Sequence, residues 1–208
     1  MTTNVTTAAP AARAPKQDRS RQTRQKLLEG AIHCLATRGW TASTVSVIAA
    51  EAGISRGAAQ HHFPTRESLI TAALDYMFDQ RASQVRQDAA TVDDRSDRAE
   101  YVVELLVNYY SGPLFKAALQ VWTAAAADPE LRQQIVPLEA KFARGVHELA
   151  VQLLHVDDSD SQTHRLIQAT LDLARGLGLA DVLTDDSARR AKIAKAWARQ
   201  LSGMKTLP

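Results

Sequence analysis

The 208-residue chain is short of several things. It holds one cysteine, Cys34, which excludes an internal disulfide and any zinc site built from several thiolates, and suits a reducing compartment. That cysteine lies among apolar residues of a helical pattern, where packing rather than reactivity is expected of it. No run of 18 apolar residues occurs, so no segment is expected to cross a membrane. The first residues lack the apolar core of a secretory signal. Their scarcity of acids would suit a transit peptide, but no amphipathic arginine face stands out. A cytoplasmic protein is the expectation. There is no glycine-rich phosphate loop, no nucleophile elbow and no HExxH, so neither catalysis nor a cofactor is expected. The six histidines (His33, His61, His62, His147, His155 and His164) are scattered, and no metal site is expected from their spacing. No stretch alternates with period two for long enough to argue a sheet.

What is present is ordinary globular composition, 45% apolar and 23% charged, which rules out wholesale disorder. The net charge of +2 conceals an asymmetry. Residues 1–67 carry nine basic and four acidic side chains, +5, while the remainder carries 16 basic and 19 acidic, −3. A basic head on a slightly acidic body is the footprint expected where one end meets a polyanion.

Residues 1–17, rich in Thr, Ala and Pro, read as a flexible tail. Beyond them nearly everything has the helical period. Leu27, Leu28, Ala31, Ile32, Leu35 and Ala36 form a stripe that stops at Gly39. Thr44 can cap a short helix ending at Gly53, and Ser55 can cap another reaching about His62. After Phe63-Pro64, Thr65 can cap a long fourth helix through Leu69, Ile70, Ala73, Leu74, Met77 and Phe78. Further helices are predicted over about 95–110, 113–127, 129–154, 161–183 and 186–202, separated by breaks such as Asp93-Asp94 and Gly112-Pro113. Pro137 should bend the seventh or mark a later start. The fold class is all-α, with about nine helices.

The most informative segment is Thr44 to His62. Ala49 and Gly53 are four apart: a small residue lets the next helix cross closely, and Gly53 can take the left-handed conformation of a sharp helix stop. Ile48 and Ile54 can pin the pair. This is a helix-turn-helix arrangement, whose second helix can lie in a DNA major groove. That second helix is thin. Gly57 and Ala58 let the backbone approach base edges, Arg56 can fork onto guanine, Gln60 can pair with adenine and Ala58 can touch a thymine methyl. Thr44, Ser46, Ser55, His61 and Arg66 complete the candidate DNA-binding set, with Thr44 and Arg66 at helix starts where free N–H groups favour phosphate.

Residues 20–74 resemble the N-terminal domain of the TetR family of bacterial transcriptional regulators. The likeness is carried by Arg24-Gln25-Lys26-Leu27-Leu28-Glu29-Gly30-Ala31, Gly39-Trp40, Thr44-Val45-Ser46-Val47-Ile48-Ala49, Ala52-Gly53-Ile54-Ser55-Arg56-Gly57 and His61-His62-Phe63-Pro64-Thr65-Arg66-Glu67-Ser68-Leu69. The family usually has tyrosine where this chain has Gln60, a ring that supports a phosphate contact. It often has lysine at the Arg66 position, and arginine keeps that charge. The resemblance implies a helix-turn-helix domain over residues 18–66, a ligand-binding and dimerisation domain over 67–208, and a homodimeric repressor on an operator that is an inverted repeat in double-stranded DNA.

The resemblance also implies an effector pocket in the body, for an unidentified small molecule. Candidate liners are Met77, Phe78, Leu106, Tyr109, Tyr110, Phe115, Trp122, Phe142, Val146 and His147, with Asn108, Tyr109 and His147 as polar groups that can orient a ligand. For the dimer, the residues speak independently. Leu166, Thr170, Leu173, Leu177 and Ala180 make one stripe of the eighth helix, and Ile167, Leu171, Ala174 and Gly178 a second. A helix apolar on two sides must be covered on both. Ile193, Trp197 and Leu201 of the last helix join the expected dimer interface. Two alternatives stay open: an all-helical small-molecule-binding or enzymatic protein whose helix-turn-helix serves protein contacts, and a regulator that needs a co-repressor or acts as an activator.

Overall fold

The computed structural model describes residues 15–89 and 98–207. Most of the expected tail and the Asp93-Asp94 break lie outside the described residues. Among those described there are nine helices: α1 (Pro15–Ala42), α2 (Val45–Glu51), α3 (Arg56–His62), α4 (Arg66–Ala89), α5 (Arg98–Tyr109), α6 (Gly112–Ala127), α7 (Pro129–Leu154), α8 (Ser161–Ala180) and α9 (Ser187–Ala198). A 3-10 turn, Arg199–Gly203, follows α9. The one β feature among them is an isolated bridge between Val156 and Thr206. No described helix is long and apolar enough to cross a membrane.

Helix α1 begins at Pro15, three residues inside the stretch read as tail; proline is tolerated in a first turn, where its missing N–H is not needed. The α1 stripe is buried at Leu27, Leu28, Ala31, Ile32, Cys34 and Leu35. The helix proper breaks at Gly39, whose φ of 75° is left-handed, a conformation that costs glycine least. Helix α7 runs unbroken through Pro137, so the later start does not occur: Asp128 already caps the helix through the Glu130 and Leu131 amides, at 3.0 and 3.1 Å. Helix α8 stops at Ala180, three residues short of the expected end.

Helix α1 lies against α4 and α6 and also carries the short pair α2–α3. Helix α5 runs through the middle of the body, packed by α7, α8 and α9. The head is fixed to the body around Trp40. The Arg66 guanidinium, in the first turn of α4, stacks 3.9 Å above the Trp40 ring and donates a hydrogen bond to the Trp40 carbonyl. The Trp40 amide in turn donates to Gln120 Oε1 of α6 at 3.4 Å. Burial pushes the Arg66 pKa down, with Glu67 opposing.

At the other end, α8 crosses the end of α5 at Gly178. A Cβ there would overlap the Tyr110 carbonyl oxygen and press on the Phe115 ring, so only glycine permits this approach. The α7–α8 loop is tied to the C-terminal segment. The Asp157 amide donates to the Lys205 carbonyl at 2.8 Å and the Leu207 amide to the His155 carbonyl at 3.0 Å. The Lys205 amide donates to Thr163 Oγ1 at 2.9 Å. Lys205 Nζ lies 2.7 Å from Asp157 Oδ2. Hydrogen bonds from Lys205 and then Ser159 hold the Asp157 carboxyl down to about 2. The stability this pairing contributes is present above the usual aspartate value and is lost as pH falls through about 2.

Substitutions at three positions test this packing. Gly178→Ala overpacks the crossing and should cost about 1–3 kcal/mol, read as a lower urea midpoint. Gly145→Ala, at a helical position with open space around it, should instead be neutral or gain up to about 1 kcal/mol. Arg66→Ala removes the stacked, hydrogen-bonded cation and should lower the unfolding free energy by about 1–3 kcal/mol. Arg66→Lys should restore only part of it, because an ammonium cannot stack as a planar fork.

Candidate nucleic-acid interface and ligand cavity

Helix α2 starts where the Thr44 hydroxyl oxygen accepts the Val47 amide at 3.3 Å. It ends in a hydrogen-bonded left-handed turn: Gly53, φ 66°, donates to the Ala50 carbonyl at 3.1 Å, and the Ile54 amide donates to the Ala49 carbonyl at 2.8 Å. That pair of bonds is the Schellman arrangement, and it sets the sharp turn into α3. Ser55 then caps α3 by accepting the Ala58 amide at 3.2 Å. Ile48, Ala49, Ala59 and Phe63 face inward and are buried.

The opposite face looks outward. Ser46, Arg56, Gly57, Gln60 and His61 are exposed, as are the caps Thr44 and Ser55, and Ala58 is half-buried. Nothing lies within 4 Å of a Cβ built at Gly57, so the backbone of α3 is open to close approach. The Thr44 and Ser55 oxygens accept helix amides while their O–H groups stay free to donate to an anion. Arg66 departs from expectation. Its helix-start position points to phosphate, but its guanidinium engages Trp40, where a half-buried cation is satisfied by a π face and a carbonyl. Arg24, exposed and 5.2 Å from the Phe63 ring centroid, is a cation near this face that the candidate set did not include.

In the body, Phe78, Tyr109, Phe142 and Val146 line a cavity of about 400 Å³ between α4, α5 and α7. Phe78 and Phe142 stack with centroids 3.9 Å apart, and Tyr109 lies 6.1 Å from Phe78. Charged groups rim this cavity: Asp79, Arg86, Lys141, Arg144 and Glu148. Lys141 is paired with Asp75 at 2.5 Å and Asp79 at 3.5 Å. Burial pushes the Tyr109 hydroxyl pKa far up, so it is a neutral phenol at physiological pH. A second cavity, about 720 Å³, is bounded by α1, α4 and the α5–α6 junction and includes Met77, Arg81, Asn108, Tyr109 and Ile32 of α1. Tyr109 is shared by both. Leu106, Tyr110 and Phe115 are core residues instead, and Trp122 stacks edge-on to Phe115; none of the four lines these two cavities.

His147 turns away from the first cavity to Asp158, which also meets His164. Desolvation pushes the Asp158 carboxyl upward, but hydrogen bonds from the two histidines outweigh it and hold its pKa below the usual range. The sequence separates the three by a helix end and a loop, so spacing alone does not reveal the cluster.

The expected dimer residues divide. Thr170, Leu177 and Leu201 are buried within the chain, and Thr170 Oγ1 accepts the Trp197 indole N–H at 2.9 Å. Leu166, Leu173, Ile193 and Trp197 are half-buried and Ala180 is exposed. Leu179 and Leu183, not foreseen, are 58% and 91% exposed.

Residues 27–73 match the family model for bacterial regulatory proteins of the tetR family. The HTH-type transcriptional regulator CymR of Pseudomonas putida is 28% identical over 123 residues, 59% of this chain and 61% of that protein. The chain spans about three fifths of the length of the curated relatives it matches first. Among solved structures, a transcriptional regulator from Rhodococcus sp. Rha1 superposes with a TM-score of 0.67 at 17% identity, covering 89% of this chain and 99% of that one. The multidrug binding protein EbrR, in complex with imidazole, gives 0.58 at 21% identity, covering 84% and 93%. These structures share its fold, and the proteins it resembles are regulators rather than enzymes. With its all-helical fold in agreement, the chain resembles bacterial regulatory proteins of the tetR family, whose model matches its residues 27–73.

Proposed function

We propose that the protein is a cytoplasmic, sequence-specific transcriptional repressor that binds an inverted-repeat operator as a homodimer and leaves it when a small molecule fills the body. The observation that carries this reading is the outward face of α3. Arg56, Gly57, Gln60 and His61 are exposed together on a helix whose other side is anchored in the head core. Arg56 is the base reader, Gln60 a second, and Thr44, Ser46 and Ser55 donate to phosphates. The division into a DNA-binding head over 18–66 and a ligand-binding, dimerising body over 67–208 belongs to this reading.

The partner copy covers the outer side of α8 and α9. Leu166, Leu173, Leu179, Ala180 and Ile193 offer apolar surface there, while Thr170, Leu177 and Leu201 support it from beneath. The effector enters beside α4, against Phe78, Tyr109 and Phe142. Helix α4 is held to the head by Arg66 and lines both cavities with its middle turns. A tilt of α4 would therefore move the head, and two heads must keep a fixed half-site spacing to bind together. A coupling of about 1–3 kcal/mol weakens operator binding about 5- to 150-fold.

Selection of bound duplexes from a random DNA library checks this. The wild type should enrich an inverted repeat with half-site centres about one helical turn apart, or a multiple. Arg56→Ala should lose about 1–3 kcal/mol on the selected site and relax the preference at one position in each half-site. Recovery of no sequence from folded dimer at low salt, with and without cell extract, would sink the reading in favour of a head that contacts protein.

A further inference from the structure

Three donors from distant parts of the sequence meet on one side of the body. His147 comes from late in α7, Asp158 from the α7–α8 loop and His164 from the first turn of α8. Asp158 Oδ1 lies 3.0 Å from His147 Nε2 and 2.9 Å from His164 Nδ1. Asp158 Oδ2 lies 3.1 Å from the same His147 nitrogen. All the donor atoms fall within 4.8 Å of one another. We infer that His147, Asp158 and His164 form a binding site for one divalent late transition metal ion of the zinc class, with the fourth position open to water or an added ligand.

The donor set selects the ion. Two imidazoles and one carboxylate suit zinc, nickel, cobalt or copper, whereas magnesium and calcium prefer oxygen donors throughout. Ligands about 2.1 Å from a tetrahedral ion stand about 3.4 Å apart. Two of the three donor pairs are already near that, and side-chain rotation of either imidazole brings in the third. Each ring nitrogen turned toward Asp158 becomes a ligand when its proton resides on the other nitrogen, as a neutral imidazole allows.

The surroundings leave Asp158 to this role. Two cations close to the loop are committed elsewhere: Lys205 pairs with Asp157 and Arg165 donates to Ser161. The backbone beneath the ligands is held on both sides. Asp157 accepts the Ser159 amide at 3.1 Å, Asp160 accepts the Thr163 amide at 2.9 Å, and the C-terminal segment is laced to the loop. The His147 side chain is 17% exposed, so one ligand sits in partly dry surroundings while His164 keeps a path to solvent at 41%. A plain hydrogen-bonded cluster would use the same groups, and the test separates the two. The inference does not depend on the regulatory reading above.

The full chain, stripped with EDTA and dialysed, is titrated with zinc chloride by calorimetry, with magnesium chloride as control. One zinc per chain should bind at micromolar concentration or tighter, and magnesium should not bind. Because the ion binds only the folded chain, a hundredfold excess over Kd should raise Tm by about 5–10 °C. His164→Ala and Asp158→Asn should each weaken zinc binding at least about tenfold while the metal-free proteins keep their wild-type circular dichroism. Asp158→Asn is the sharper variant, since an amide oxygen still accepts hydrogen bonds from both imidazoles. Cobalt in place of zinc should give visible d–d bands that both variants lose. No saturable zinc binding by the wild type, or binding unchanged in both variants, would overturn the inference.

Discussion

Much of this molecule depends on one half-buried contact, the Arg66 guanidinium stacked on Trp40. It joins the first turn of α4 to the end of α1, and the Trp40 amide carries the connection on to Gln120 of α6. Without it the three-helix head would meet the body mainly through the apolar side of α1. With it, the orientation of α4 and the placement of α2 and α3 become one mechanical quantity. A side chain that reads as a phosphate ligand from its position has been used to build a joint, because a cation at a half-buried helix start gains more from an aromatic face and a carbonyl than from solvent.

The joint gives the two cavities beside α4 a physical route to the outward face. Tyr109 lines both of them, and Phe78 and Phe142 stack across the smaller. A ligand seated between these rings would have to separate or replace their contacts, and α4 carries one of the rings. At the far end of the body, Gly178 lets α8 close against the Tyr110 carbonyl, which fixes how far the outer faces of α8 and α9 project. The exposed Leu179 and the half-buried Leu166 and Leu173 follow from that seating.

The head was legible from the sequence nearly residue by residue. Its capping hydroxyls, its left-handed glycine and its buried Ile48, Ala49 and Phe63 act within a few positions of one another, so local rules reach them. The body was legible as helices but not as a site. Helical spacing marked both Phe115 and Phe142 as aromatic stripe residues, yet Phe115 is core and Phe142 lines a cavity. Periodicity gives the side of a helix that is covered and says nothing of what covers it. In α8 the two apolar stripes were visible, but Thr170 and Leu177 proved to belong to the inner cover. They lie at the edge of the outer stripe, and a small rotation of the helix decides their side.

By itself, the sequence determined the all-helical class, the order of the elements and the chemistry of the exposed α3 face, because each rests on contacts made within one or two helical turns. Tertiary structure alone decided that Arg66 turns inward, that Tyr109 faces two cavities, and that His147, Asp158 and His164 meet around one point. The physical reason is the same in each case. These arrangements depend on how far one helix is rotated and translated against another, and that is set by the packing of the whole core, to which no short window of residues gives access.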